Sequence, residues 1–192
     1  MYTIADNHNT PLTKQMMDNL FFELNKELRK KLRKLPRDYK AELYVVGGAC
    51  VIATLGTRTS TMDIDAVWSI GSEMRDCINI VGDRYNLGHG WCNCDFKKTK
   101  SYTNAIMYNS SVYKVFDRLI VRMVNYDLLL AMKLIAFRKH KQTDKEDCRS
   151  IITLMKSKGC IVTTESICEI VNKYFSVNDL SEDAKAFIGL KG

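Results

Sequence analysis

Residues 44–68 read Y-V-V-G-G-A-C-V-I-A-T-L-G-T-R-T-S-T-M-D-I-D-A-V-W, and this stretch decides the fold. An apolar run, Leu43 to Val46, ends in Gly47-Gly48. A short helical segment follows from Ala49 to Leu55, then Gly56 and Arg58. A second apolar run, Met62 to Trp68, carries Asp63 and Asp65. Side chains alternate faces along a strand, so the two aspartates point one way and Ile64 and Ala66 the other. Adjacent carboxylates on one rigid face repel unless a positive charge lies between them, and hard cations such as Mg²⁺ prefer carboxylate oxygens. A glycine pair at a strand-to-helix turn lets backbone approach a phosphate, whose charge is favoured by the N–H groups of the helix start. Metal carboxylates and a phosphate-binding turn are the two halves of a phosphoryl-transfer site. The plainer reading is a common Gly-Gly turn beside an edge strand with a solvated acidic face.

The order hydrophobic, Gly-Gly, spacer, Asp-hydrophobic-Asp resembles the signature of the nucleotidyltransferase superfamily, with its DNA polymerase beta-like palm. The form V-G-G-A…G-T-R-T-S-T-M-D-I-D-A-V is similar to small bacterial nucleotidyltransferase-like proteins related to abortive-infection toxin components, whose motif reads G-G…R-x-T-x-D-I-D. Arg58 supplies the arginine and either Thr59 or Thr61 the threonine, and the spacer after Gly48 is at the long end for the superfamily. Trp91 and Asn93 match the family's W-hydrophobic-N-D element. Its aspartate falls on Cys94, which leaves Asp95, one residue later, as the candidate third carboxylate on a neighbouring strand. A one-residue slip would turn that side chain to the wrong face. Residues 119–138, L-I-V-R-M-V-N-Y-D-L-L-L-A-M-K-L-I-A-F-R, resemble the family's strand and L-L-A-M-K-L-x-A-x-R helix, and Asp144 and Asp147 fall on its D-x-x-D signature.

The resemblance runs from about Tyr44 to Leu154 and implies an α/β (α+β) nucleotidyltransferase fold, a small mixed β-sheet flanked by helices with a C-terminal helical subdomain. It divides one domain, 1–192, into an N-terminal helix (1–40), a catalytic sheet core (41–125) and a helical C-terminal part (126–192). It implies Mg²⁺-dependent transfer of an NMP group from an NTP to RNA, tRNA or protein, with pyrophosphate leaving and a toxin-like role. Under it Asp63, Asp65 and Asp95 are catalytic, and Asp63 and Asp65 hold two Mg²⁺ ions. Gly47, Gly48, Arg58, Thr61 and Lys133 bind the nucleotide, and Asp144 and Asp147 are accessory. The alternative is a catalytically inactive protein of the same fold that binds RNA or a partner protein, which the displaced Asp95 keeps open. An adenylyltransferase acting on aminoglycosides ranks last, because no acidic drug-binding element is visible.

The 192 residues are 46% hydrophobic and 27% charged, ordinary for a chain that buries a sizeable core. No stretch reaches transmembrane length, and Met1 to Pro11 is polar with no apolar signal core, so no membrane association is expected. Seven cysteines, odd in number and scattered at apolar positions, suit reduced thiols in a cytoplasm. His89, Cys92 and Cys94 suggest zinc, but Cys-x-Cys is tighter than the usual ligand spacing. A net charge of +7 invites an anionic partner: nucleotide, nucleic acid or acidic protein.

Thr10-Pro11 predicts the start of a first helix, with Leu12, Met16, Leu20, Leu24, Leu28 and Leu32 on one face and Pro36 as its stop. Its basic end (Lys26, Arg29, Lys30, Lys31, Arg33, Lys34, with Arg37 beyond) either complements the helix C-terminus in solvent or forms a polyanion-binding face. Residues 72–81 predict an amphipathic helix with Met74, Ile78 and Val81 inward, and 112–124 a hairpin broken at Asp117-Arg118. In the next helix Leu128, Leu129, Met132, Ile135 and Ala136 form the buried face. Lys133 at its margin is a snorkelling lysine or a phosphate ligand. Thr143-Asp-Lys-Glu146 reads as a capping box for a helix that Gly159 ends, in which Asp144 and Asp147 favour the N-terminus and pair with Arg138 or Lys145, or join the site. Residues 160–175 and 180–188 predict two closing helices.

Overall fold

The two apolar runs that flank the diglycine become neighbouring strands of one sheet. A computed structural model describes residues 10–88 and 90–190. The polar-leader reading of the N-terminus (mostly) and the zinc reading of His89 fall outside these residues. The elements are β1 (Leu12–Thr13), α1 (Lys14–Lys31), β2 (Ala41–Val45), α2 (Gly47–Leu55), β3 (Ser60–Thr61), β4 (Ile64–Trp68) and α3 (Gly71–Arg84). They continue with β5 (Cys92–Asn93), β6 (Ser110–Val115), β7 (Leu119–Val124), α4 (Tyr126–Ile135), α5 (Gln142–Ser157), α6 (Thr164–Tyr174) and α7 (Glu182–Ile188). The main sheet has the order β5-β4-β2-β7-β6, and β1 pairs separately with β3. β2 runs antiparallel to β4 and parallel to β7, so the fold is mixed α/β, as expected.

Strand register sorts the side chains by chemistry. Leu43 and Val45 align with Trp68 and Ala66 on β4 and with Val121 and Met123 on β7. That face is apolar; Leu43, Val45, Ala66 and Val121 are fully buried. The opposite face carries Glu42, Tyr44, Asp65 and Arg122, the alternation expected of a sheet covered unequally on its two sides. One hydrophobic cluster extends from Leu12 to Ile188.

Several boundaries differ from the periodic reading, each for a local reason. α1 starts at Lys14, where the Thr13 hydroxyl accepts the Met16 N–H at 3.3 Å. Leu12 and Thr13 are drawn out instead to pair antiparallel with Thr61 and Ser60, so Leu12 is buried from a strand. α3 extends three residues past Val81 to Arg84, with Met74, Ile78 and Val81 buried. The hairpin forms, with Asp117 and Arg118 between β6 and β7. α4 buries Leu128, Leu129 and Met132 but also Leu130, Ala131 and Leu134. Ala136 is its exposed C-cap, so the helix is enclosed nearly all round and has no single inner stripe.

The capping box at Thr143 does not form. α5 begins at Gln142 with Lys141 as N-cap and no side-chain cap bond, and the buried Thr143 hydroxyl has no partner among the described residues. A reciprocal box lies at α6 instead, between Thr163 and Ser166. The basic end of α1 is largely engaged: Lys26, Lys30, Lys31 and Arg29 pair with Glu23, Glu27, Asp76 and Asp117. This favours the structural reading of that cluster over a polyanion face. The cysteines are free thiols, and among the described residues no helix is long and apolar enough to cross a membrane.

Candidate active site

The site is built where β2 turns into α2. The Val46 N–H donates to the Asp65 carbonyl at 2.9 Å, extending the β2–β4 ladder to the first residue of the turn. Gly47 follows with φ +64°, and a Cβ there would lie 2.8 Å from Asp65 Oδ2. At Gly48 a Cβ would lie 2.8 Å from Arg58 Nη1 and 3.0 Å from Thr61 Oγ1. The diglycine is therefore a close approach of backbone to a carboxylate on one side and to a guanidinium and hydroxyl on the other. Thr61, buried in β3, faces the turn, whereas Thr59 is exposed. Val46 offers no side-chain cap, so the first amides of α2 keep their partial positive charge for an anion.

Asp65 is half-buried on the polar face of β4. Burial, then the charges of Asp63 and Asp95, push its carboxyl up from 3.8 to about 6, against the opposing pull of Lys133 and Lys141. Among the described residues no side chain donates a hydrogen bond to it or pairs with it. Asp63 lies one residue ahead of β4, not within it, because the ladder to β5 begins at Ile64. It is half-buried and borders a separate hollow with Met62 and Trp91, while its charge reaches Asp65.

Asp95 requires a correction. β5 is only two residues long, and Asp95 opens the 3-10 turn after it, 79% exposed and 3.2 Å from Lys98. The residue in register with Asp65 is Asn93. Its Oδ1 accepts the Asp95 N–H at 2.9 Å and its Nδ2 donates to the Gly90 carbonyl at 3.0 Å. This latch ends the strand, so Asp95 supplies a field at Asp65 rather than a carboxylate on the next rung. Among the described residues, no three His, Cys, Asp or Glu side chains gather into a metal-binding group.

A cleft of about 470 Å³, within the size range of small-molecule sites, opens beside the turn and is lined by Gly47, Asp65, Phe96, Lys100, Lys133 and Arg138 among others. Lys133 comes from α4, and its Nζ lies 2.7 Å from Asp147 Oδ2. Arg58 Nη1 approaches the same oxygen at 3.5 Å. Arg138 grips Asp144 with Nε at 2.9 Å and Nη2 at 3.3 Å. Asp144 and Asp147, one turn apart on α5 and both buried, are thus anchors for three basic residues; Lys145 takes no part. Lys100 and Arg138 also line the cleft, and Lys141 acts on Asp65 through its charge; the basic runs 97–100 and 138–141 carry these residues. Further along the polar face Tyr44 donates to Glu42, which also accepts from Arg122 at 2.8 Å, and burial pushes the Tyr44 phenol up to about 12.

The chain matches no protein-family model, no curated protein and no solved structure. The functional reading therefore stands on the residues. Asp65, a half-buried carboxylate without a partner among the described residues, is an oxygen donor of the kind Mg²⁺ uses: the ion commonly takes one or two carboxylates and completes its shell from substrate phosphates and water, and the charge of Asp63 adds to the negative field there. The surrounding Arg58, Lys133, Lys100 and α2 amides suit phosphate oxygens.

The Asp65 carboxyl also makes a stability prediction. Its folded pKa, about 6, exceeds the ordinary 3.8, so between these values the folded state binds more protons than the unfolded chain. Stability of the metal-free protein should then fall as pH rises through that window. Thermal melts of Asp65→Asn should lack this slope and exceed wild type above pH about 6; an unchanged slope would contradict the burial account.

Proposed function

We propose that this protein is a Mg²⁺-dependent nucleotidyltransferase that moves an NMP group from an NTP to an acceptor hydroxyl, on RNA, tRNA or a protein. The observation that carries this reading is the Asp65 carboxylate, half-buried and unpaired among the described residues, pressed against Gly47 at the open N-terminus of α2. Asp63 and Asp65 are the residues that would hold the metal. When bound, Mg²⁺ neutralises the carboxylates and the charge developing on the phosphates. The first amides of α2 belong to the diglycine itself, and Arg58 lies beside Gly48; together they would hold phosphate oxygens in place. Lys133, Lys100 and Arg138 make the cleft attractive to a polyanion, and Phe96 with Leu129 and Met132 gives it an apolar wall.

One observation favours the second reading, a protein of this fold that binds RNA or a partner without catalysis. The rung beside Asp65 holds Asn93, and the third carboxylate stands on an exposed turn. Thermal shift separates the two. Mg²⁺·NTP at a hundred times its Kd should stabilise the enzyme by about 2.7 kcal/mol, a rise of roughly 5–10 °C, and only with Mg²⁺ present. A protein that moves with RNA but not with Mg²⁺·NTP is the binder.

A further inference from the structure

Lys133, whose charge acts more strongly on Asp65 than that of Lys141, is a cation that could close the candidate metal site. It lines the same cleft as Asp65, and its side chain is only 14% exposed. A flexible lysine stem in the same cleft as an unpaired carboxylate, near enough for its charge to act on it, should form an ion pair. The ammonium is instead 2.7 Å from Asp147 Oδ2, an atom on a residue 3% exposed. Asp147 is itself fixed, because the Arg138 fork on Asp144 holds the same turn of α5. Its one oxygen also faces Arg58 at 3.5 Å, so a single negative charge stands between two cations.

We propose that Asp147 is a positioning residue that holds Lys133 away from Asp65 and so keeps the Asp63–Asp65 pair open to a divalent cation. The inference rests on the metal role given to those aspartates above. Without Asp147, Lys133 swings to Asp65 and competes with the metal. If it occupies Asp65 about nine-tenths of the time, the apparent metal affinity falls about tenfold.

The test is titration of the full chain with Mn²⁺ alone, following free ion by electron paramagnetic resonance. Asp147→Asn should bind Mn²⁺ about tenfold more weakly than wild type. Adding Lys133→Met should restore affinity to within about threefold, a non-additivity that a merely structural Asp147 would not produce. Unchanged affinity in Asp147→Asn, or no recovery in the double variant, overturns the proposal. If Asp147→Asn does not fold, the double variant still decides: both charges of the buried pair are gone, and it must bind Mn²⁺ nearly as wild type does. Wild type that binds no Mn²⁺ fails the functional reading as well; wild type that binds, with no rescue, fails this proposal alone.

Discussion

Asp65→Asn is expected to lower nucleotide transfer by about three orders of magnitude, the several kcal/mol that a metal-holding carboxylate supplies to a phosphoryl transition state. The same change should make the metal-free chain more stable at neutral pH. Burial and the neighbouring aspartates already penalise the charged form of Asp65, and an amide removes that charge with little change of shape. Opposite signs for activity and stability are the mark of a group placed for function. Label transfer and thermal melts on one preparation check both; a fall in both together would make Asp65 an ordinary structural acid.

Gly47→Ala should lose most activity through a different route. The position has φ +64°, and the added methyl would meet Asp65 Oδ2 at 2.8 Å. The left-handed backbone costs about 1–2 kcal/mol for an L residue, a fall of roughly 2–8 °C in Tm. The contact displaces the carboxylate as well. Gly56→Ala is the matched control, since Gly56 has φ +67° but its Cβ would meet nothing within 4 Å. It should lose comparable stability and keep its activity. Equal activity in the two variants would show that the closeness of Gly47 to Asp65 has no functional weight.

What could be read from the chain and what could not divides along the range of the interactions. β2, β4, the diglycine turn between them, the hairpin and the closing helices follow from local periodicity and turn residues, which need no partner to be seen. The start of α1 was missed because Leu12 answers to Thr61, far along the chain, and not to its own helix turn. That same pairing buries Thr61 and leaves Thr59 exposed. The third carboxylate was misplaced because alternation predicts a face only while a strand lasts, and the Asn93 latch ends β5 at once. The partner of Lys133 was equally hidden. Arg138 was a legible mate for Asp144 six residues on, whereas Asp147 draws in Lys133 from the preceding helix and Arg58 from beyond α2. The Thr143 box failed because α5 starts two residues early, at Gln142, and turns that hydroxyl inward.

The central claim is that the unpaired carboxylate at the diglycine turn serves nucleotide transfer through a divalent cation. Its most direct test is incubation of the protein with each α-phosphate-labelled NTP, Mg²⁺, and total tRNA or cell extract. Label should appear on an RNA or protein acceptor with release of pyrophosphate, and be lost on chelation of Mg²⁺ and in Asp65→Asn. Transfer that survives Asp65→Asn, or no labelled acceptor from any NTP with Mg²⁺ present, would contradict it.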